Sequence, residues 1–305
     1  MALQRRRLIA AALCLGLWPA RAHAADAPAA APPVQYGTPK LLCKLKNKAV
    51  RESSGIACSR RRNDVLWTHN DSGGGPKLYA FNRDGDDLAT YEIAGARVRD
   101  CEDLCSFVIE KTPCLLLADV GDNNAKRKLC TLYVVEEPAI PDVTPARGRL
   151  KIERTIHFRY PDGPRDCESV AVDPAAGVVL LADKPRGLRC RIYALALKDR
   201  GKVLQARRIA VVTFLVPTGM DVSPDGRRCV LSTYGPAYEF SRPAGQDWAA
   251  AFRRRPRQID LPRRRQGEAV AYGADGKTLY VTSEGTPCPV WEIPVEEPAG
   301  PKPAD

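Results

Sequence analysis

The chain has 305 residues and a formal net charge of +11, with 27% charged and 7% aromatic residues. This length is enough for one large domain with a substantial hydrophobic core. The positive charge is concentrated in short arginine runs without interleaved aromatic residues, at 60–62, 253–255 and 263–265. That pattern argues against nucleic-acid binding, and we expect no nucleic-acid partner.

Residues 1–24 have the pattern of a secretory signal peptide. Arginines at positions 5–7 precede a short apolar run at 8–17, and small residues flank a cleavage site after Ala24. The run is too short to span a membrane, and no later stretch reaches the roughly 20 apolar residues that a span needs. Cleavage would lower the net charge to +7. We therefore predict a periplasmic or secreted protein without a transmembrane segment after cleavage.

The rest of the chain divides into three parts. The Ala/Pro-rich residues 25–38 are predicted to be a linker, residues 39–296 a folded domain, and the polar residues 297–305 a tail. The domain contains five similar segments that begin 48 to 66 residues apart, at Ser54, Glu102, Glu168, Thr218 and Glu268. A period of this length predicts a β-propeller rather than separate domains.

Each repeat predicts strands a, b, c and d in that order. Turns with Pro and Gly follow strand a, most clearly at 173–177, 223–226 and 274–276, and strand c carries an aromatic residue near its start. Outer strands d are predicted at 89–93, 150–158, 205–212 and 258–261, and a short helix at 247–254. The fifth repeat has no strand d of its own, so residues 39–46 are expected to supply it and close the ring. The sequence thus predicts an all-β protein, a single propeller of five four-stranded blades, and the long second interval leaves room for a sixth.

Acidic and amide side chains recur at one end of the predicted blades. Strands a and b are antiparallel, so the start of a and the end of b meet at the same mouth of the central channel. The predicted metal ligands there are Asn70, Asp71, Glu102, Asp119, Glu168 and Glu268, and the predicted catalytic residues are His69, Glu102 and Glu268.

Several carboxylates in one place repel one another unless something neutralises them. Calcium, which prefers flexible sets of oxygen ligands, is the expected cofactor. Lys184 could neutralise part of the charge instead, or one carboxyl could stay protonated and act as a general acid. A purely structural alternative also stands, in which these residues cap turns by bonding to nearby backbone.

Ten of the eleven cysteines follow residue 24, and an even number in an exported chain indicates disulfides. The equivalent positions in two repeats suggest the pairs Cys101–Cys130 and Cys167–Cys190. Cys105 with Cys114, and Cys43 with Cys288, are further candidate pairs. The alternative is that some of these cysteines are buried thiols.

The motifs HNDSG at 69–73 and GDN at 121–123, together with the Glu-led strand starts, resemble those of a group of largely uncharacterised secreted bacterial β-propellers. The resemblance covers nearly all of residues 40–295, with Cys101 where that group usually has Trp. It implies a propeller without a settled activity. More loosely, the acidic mouth is similar to that of calcium-dependent lactonase and phytase-like esterase propellers.

Three functions follow from these expectations. The first is a metal-dependent hydrolase of small-molecule esters, lactones or phosphoesters, in which a cation polarises the reacting oxygen. The second is a non-enzymatic binding or scaffolding module whose partner is a protein of the cell envelope. The third is a glycosidase with two mouth carboxyls as acid and base. We expect a monomer in each case.

Overall fold

The computed structural model describes residues 34–198, 201–213 and 216–296. The predicted signal peptide, the linker as far as residue 33, and the tail at 297–305 lie outside the described residues. The described chain begins with two strands, β1 (Gln35–Tyr36) and β2 (Lys40–Lys44). β1 lies within the predicted linker and pairs with a strand close to residue 296.

Five antiparallel blades follow in chain order. The strands of blade 1 are β3 (Ser53–Cys58), β4 (Val65–Asn70), β5 (Lys77–Asn82) and β6 (Asp87–Ile93). Blade 2 contains β7 (Cys101–Ile109), β8 (Thr112–Asp119) and β9 (Cys130–Glu136); the chain then forms β10 (Ala146–Leu150) before it returns to blade 2 as β11 (Ile152–Arg159).

Blades 3 to 5 complete the ring. Blade 3 contains β12 (Cys167–Asp173), β13 (Val178–Asp183) and β14 (Arg189–Ala196); the chain then forms β15 (Leu204–Gln205), which pairs with β11, and β16 (Arg207–Thr213), the outer strand of blade 3. Blade 4 contains β17 (Pro217–Val222), β18 (Arg228–Thr233), β19 (Ala237–Ser241), the helix α1 (Trp248–Phe252) and β20 (Arg257–Ile259). Blade 5 contains β21 (Gly267–Tyr272), β22 (Leu279–Ser283) and β23 (Pro289–Ile293), and β24 (Val295–Glu296) pairs with β1.

The five first strands line the axis. β3, β7, β12, β17 and β21 each contact the next one around the ring, and β21 contacts β3. The second strands are buried on both faces because a neighbouring blade packs on each side, which explains their nearly continuous apolar sequences. In blades 3 to 5 the predicted turn after the first strand has Gly177, Gly226 or Gly276 at positive φ, a conformation that glycine adopts without strain.

The predicted closure of the ring is confirmed. β2 pairs antiparallel with β23 and supplies the outer strand of blade 5. Cys43 and Leu45 pack there in a buried apolar cluster with Val290. The strand that precedes blade 1 in the chain thus completes blade 5 and ties the two ends of the ring together.

The described residues form five blades, not six. The long second interval is occupied by β10, which pairs parallel with β6 on the outer edge of blade 1. The chain therefore covers an exposed edge of one blade before it finishes the next. The short helix predicted at 247–254 is present as α1, where the Asp247 carboxylate accepts a hydrogen bond from the backbone N–H of Ala250.

The predicted disulfides are absent from the described residues, and this prediction is wrong. All ten described cysteines are buried free thiols, the alternative that the sequence left open. Cys101 and Cys130 lie on the first and third strands of blade 2, with a complete strand between them. Two strand spacings amount to about 10 Å, whereas a disulfide joins Cα atoms less than about 7 Å apart.

The other predicted pairs fail for related reasons. Cys167 and Cys190 are again separated by a complete strand, in blade 3. Cys105 lies opposite Leu116 and is offset by two residues from Cys114 on the neighbouring strand. Cys43 lies opposite Val290 and has the same offset from Cys288. Such diagonal neighbours are about 7–8 Å apart.

A buried carboxylate joins three blades at the axis. Asp103 of blade 2 has no exposed surface and accepts hydrogen bonds from the backbone N–H groups of Leu104, Val170 and Met220. Val170 belongs to blade 3 and Met220 to blade 4, so this side chain crosses the centre of the ring. Asp221 makes a similar bond to Tyr272 in blade 5. Among the described residues, no helix is long and apolar enough to cross a membrane.

Candidate functional site: the acidic mouth of the channel

A β-bulge recurs at the start of the first strand in every blade. In each case the register with the second strand shifts by one residue, and that residue has no partner opposite. The bulged residues are Ser54, Glu102, Glu168, Thr218 and Glu268, all of them buried. A bulge turns a side chain away from the regular alternation of the strand. The five bulges therefore give one position in each blade an orientation that strand alternation alone would not give.

The last residue of the second strand supports the loop that leads into the bulge. Asn70 accepts hydrogen bonds from the N–H groups of Arg51 and Glu52 in blade 1. Asp119 does the same for Arg99 and Asp100 in blade 2. Ser283 accepts a similar bond in blade 5. These residues thus act as caps, which was the structural alternative for this position.

A backbone bond then places the next residue. In four blades the residue after the second strand donates its N–H to the carbonyl two residues before the bulge: Asp71 to Glu52, Val120 to Asp100, Lys184 to Asp166 and Glu284 to Gln266. The mouth is accordingly defined by three equivalent positions in each blade. In the described residues these positions carry eight carboxylates and one lysine: Glu52, Asp71, Asp100, Glu102, Asp166, Glu168, Glu268, Glu284 and Lys184.

Three of these carboxylates form a compact cluster. One oxygen each from Asp71, Asp100 and Glu102 lies within 4.8 Å of the other two. Burial, followed by the charge of Asp71, raises the pKa of Asp100 to about 6. Burial and the charges of Glu168 and Asp71 raise the pKa of Glu102 far above its usual range. Without a cation, Glu102 is therefore neutral at pH 7.

The backbone of blade 2 makes room for this cluster. A Cβ atom on Gly121 would collide with the Glu102 carboxylate and would lie 2.6 Å from the carboxyl carbon of Asp100. Any other residue at this position would push both groups away. Among the described residues, no donor forms a hydrogen bond to the Glu102 carboxylate, although Glu102 is only 4% exposed. The buried Glu102 thus lies beside the half-buried Asp71 and Asp100, and no described lysine or arginine forms an ion pair with any of the three.

The equivalent glutamate of blade 3 has such a partner. The Lys184 ammonium lies 2.9 Å from the Glu168 carboxylate. Burial opposes ionisation of both groups; it raises the pKa of Glu168 to about 7, and the attraction of the lysine limits this rise. For Lys184 the attraction outweighs burial, so its pKa lies above the usual range. Tyr234 lies beside the ammonium, with the ring centre 5.9 Å away.

The glutamate of blade 5 lies near an arginine instead. Burial raises the pKa of Glu268, and the charges of Lys184 and Arg264 act against this rise. Burial lowers the pKa of Arg264 to about 10. This guanidinium donates to the carbonyl of Thr233, while its Nε and Nη1 atoms are buried without a hydrogen-bond partner.

The predicted site residues separate into two groups. The structure brings Asp71, Glu102, Glu168 and Glu268 to the mouth, where their charges affect one another's pKa values. Asn70 and Asp119 lie behind it, with their polar atoms engaged by protein groups. Asp119 forms a bidentate pair with Arg127 at 3.0 and 2.7 Å, which leaves its carboxylate poorly placed to bind a cation.

His69 is buried in blade 1, with 1% of its surface exposed. Its Nδ1 atom lies 2.7 Å from the carbonyl oxygen of Asn70, and its Nε2 atom has no hydrogen-bond partner. The ring packs against the backbone of Gly55, where a Cβ atom would collide with it. Burial lowers the pKa of His69 to about 4, so the ring is neutral at physiological pH.

Sequence reasoning missed Asp100 and Asp166. Both lie two residues before a bulged glutamate, and Glu52 occupies the same position in blade 1. This third recurring acidic position was visible in the repeat. It could have been found by aligning the residues that precede the first strands as well as those that begin them.

Comparisons with known proteins support no family assignment. No family model matches the chain, and no curated protein matches it. Among solved structures, the chain is similar to a gluconolactonase from Xanthomonas campestris, with 14% identity over 87% of this chain and 97% of that chain, and a TM-score of 0.48. It is also similar to a chain of a nidogen–laminin complex (13% identity, 77% of this chain, 73% of that chain, TM-score 0.44). A third similarity is to U3-55K, with 12% identity over 79% of this chain and 67% of that chain, and a TM-score of 0.38.

Proposed function

We propose that the mouth binds one divalent cation, most suitably Ca²⁺, between Asp71, Asp100 and Glu102, and that the protein is an exported, cation-dependent hydrolase of esters, lactones or phosphoesters. The observation that carries the proposal is the cluster of three carboxylate oxygens within 4.8 Å of one another, two from half-buried residues and one from the buried Glu102. Two oxygens bound to the same Ca²⁺ at about 2.4 Å are at most about 4.8 Å apart. The cluster therefore has the dimensions of a single ion site.

The chemistry of the donors supports a hard cation. The three ligands are all carboxylates, a set that suits Ca²⁺, Mg²⁺ or Mn²⁺ and lacks the Cys and His ligands typical of zinc and copper sites. Calcium takes six to eight oxygen ligands, so positions would remain for water or a substrate oxygen. Bound there, the cation would polarise that oxygen.

The protein groups around the cluster can handle a proton. The Glu168 carboxyl, with a pKa of about 7, changes charge near physiological pH and suits the role of general base. Lys184 keeps it partly ionised in the absence of substrate. Glu168 is also close enough for its charge to raise the pKa of Glu102, so the proposed base and the proposed cation site belong to the same mouth.

Calcium binding is the first experiment. Calorimetric titration of the purified protein should show one saturable site, and the variant Asp100→Asn/Glu102→Gln should lose it. Asp142→Asn, which removes an exposed carboxylate outside the mouth, should bind normally and is the matched control. No heat of binding, together with a melting temperature that chelator leaves unchanged, would exclude the site.

Hydrolysis is the second experiment. A panel of small esters, lactones and phosphoesters should be assayed with Ca²⁺ and with chelator. We expect turnover that requires the cation and is lost in Glu102→Gln but kept in Asp142→Asn. Turnover that survives both chelator and Glu102→Gln would contradict the mechanism, since it would have another origin.

The alternative of an envelope-binding module relies on the arginine runs. Part of that surface is already engaged within the fold. Arg60 donates to the carbonyl of Ser106, and Arg61 to Glu136 and to the carbonyl of Glu137, so both fasten blade 1 to blade 2. The structure thus offers less specific support for a basic docking face than for the carboxylate cluster.

A further inference from the structure

A basic cleft adjoins the acidic mouth. It has a volume of about 470 Å³ and lies between the loop that follows the second strand of blade 2 and the loop that follows the second strand of blade 3. Asp166 and Lys184 belong both to its lining and to the mouth. The cleft therefore opens beside the mouth, next to Glu168, the proposed base that pairs with Lys184.

The charge of this cleft is opposite to that of the mouth. Its lining has five cationic side chains and two carboxylates; the cations are Arg165, Lys184, Arg186, Arg189 and Arg191. Both carboxylates are occupied by groups of the protein. Asp183 accepts from the N–H and guanidinium of Arg191, and Asp166 accepts from the N–H of Asp122. Three of the five cations, Arg165, Lys184 and Arg191, form ion pairs with carboxylates, so the charge available to a ligand is that of the remaining two.

Two of the arginines are uncommitted. Arg165 and Arg191 form ion pairs with Asp162 and Asp183. Arg186 and Arg189 are exposed, and among the described residues neither forms an ion pair. Two free guanidinium groups beside a cavity offer the planar pairs of donors that suit phosphate oxygens.

We propose that this cleft binds the phosphate group of a small phosphorylated substrate, held by Arg186 and Arg189 next to the carboxylate mouth. A phosphate monoester carries close to two negative charges at pH 7, and the net charge of the lining favours such a group over a monocarboxylate. The volume exceeds that of a phosphate ion, so part of the attached molecule fits there as well. The consequence for catalysis depends on the proposed function, whereas the binding site itself does not.

The test uses the full chain and two simple probes. Inorganic phosphate and acetate are titrated into the protein at equal ionic strength, first in chelator and then with Ca²⁺. We expect phosphate to bind in both conditions and acetate to bind much more weakly. In Arg186→Ala/Arg189→Ala the phosphate affinity should fall by about tenfold or more, because two charged donors are lost.

The control removes the same charge elsewhere. Arg207 begins β16, whereas Arg189 pairs with Thr213 at the other end of that strand. Arg253 follows α1, and both arginines are exposed. The variant Arg207→Ala/Arg253→Ala should bind phosphate normally. An equal loss in both variants, or acetate binding as tight as phosphate binding, would overturn the proposal.

The two proposals fail in different ways. If the cleft binds phosphate but the mouth binds no cation, phosphate binding is lost only in the cleft variant Arg186→Ala/Arg189→Ala, and calcium gives no heat of binding. If the mouth binds the cation but the cleft does not bind phosphate, calcium gives a heat of binding, and the cleft variant has the same phosphate affinity as the wild type. Phenyl phosphate added to either experiment reports whether the cleft accepts an attached organic group.

Discussion

Glu102 and Glu168 occupy the same bulged position in neighbouring blades, yet their environments differ. Glu168 has a lysine 2.9 Å away, whereas Glu102 faces Asp71 and Asp100. The backbone is equivalent in the two blades, and the difference comes from the residues that follow the second strands. Blade 3 has Lys184 where blade 2 has Val120, and blade 1 contributes Asp71 to the cluster around Glu102. A repeated scaffold can therefore build a neutralised pair and an uncompensated acidic cluster side by side.

The comparison also explains why the cluster around Glu102, and not the pair of Glu168 with Lys184, is the candidate cation site. Like charges at short distance keep protons on the cluster until a positive ion replaces them. In blade 3 the ammonium already supplies that charge. The site chemistry follows from a single position in each repeat, and this position can be exchanged by mutation.

The largest effect is expected from Asp71→Lys, which gives the cluster the lysine of blade 3. Two unit charges 5 Å apart interact by about 3 kcal/mol at an effective dielectric constant of 20, and here an attraction to the cation becomes a repulsion. Calcium affinity should fall by about 1,000-fold or more, as measured by calorimetry. Asp71→Asn should cause a smaller loss. Wild-type affinity in Asp71→Lys would show that Asp71 is not a ligand.

Asp103 extends the comparison to a carboxylate that is satisfied by backbone groups alone. Asp103→Ala would leave three buried N–H groups without an acceptor, in blades 2, 3 and 4. Each such group costs about 1–3 kcal/mol, so the free energy of unfolding should fall by about 3 kcal/mol or more. Urea denaturation measures this change. Asp103→Asn, which keeps one acceptor oxygen, should lose less; equal losses would mean that side-chain volume matters more than hydrogen bonding.

The smallest effect is a dependence of stability on pH. Folding raises the pKa of Asp100 to about 6 and that of Glu168 to about 7, above the value of about 4 typical of unfolded chains. The unfolded state therefore loses these protons first as the pH rises, and the free energy of unfolding falls from about pH 4 upward. The fall continues above pH 7 because the pKa of Glu102 is raised further than those of Asp100 and Glu168. In chelator the melting temperature should be lower at pH 8 than at pH 5, and Ca²⁺ should reduce the difference.

Lys184→Met sharpens this measurement. Without the ammonium, the pKa of Glu168 should rise further, and the fall in stability should extend to higher pH. Asp71→Lys should have the opposite effect on the cluster, because a nearby cation lowers the pKa values of Glu102 and Asp100. Identical melting profiles for the two variants would show that the two glutamates do not differ in the way that the structure indicates.

The sequence was sufficient for the fold because the same order of four strands recurs in each repeat and its turns are marked by proline and glycine. It was also sufficient to collect Glu102, Glu168 and Glu268 in one place, since antiparallel strands bring those positions together. It did not show the bulges, because one additional residue leaves the apolar pattern of the buried strand intact. Nor did it show that Asp119 forms an ion pair with Arg127, because that contact depends on a loop that brings the arginine back to the end of the strand.

The cysteine prediction failed for a geometric reason. Equivalent positions in two blades were taken to indicate equivalent bonds, but Cys101 and Cys130 have a strand between them. Equivalence within a repeat determines which strand a residue lies on, and distance across the sheet decides whether two residues can bond. Only the second of these requires the structure.

The closing strand β2 has a consequence for how the protein is made. Leu41 pairs with Trp291, 250 residues further along the chain. β2 precedes all five blades in the chain yet acquires its partner only after β23 has emerged, so blade 5 cannot be completed until nearly the whole propeller has been made. A cut between β2 and β3 would separate the outer strand of blade 5 from the rest of the propeller, leaving only its hydrogen bonds and apolar contacts with β23 to hold it.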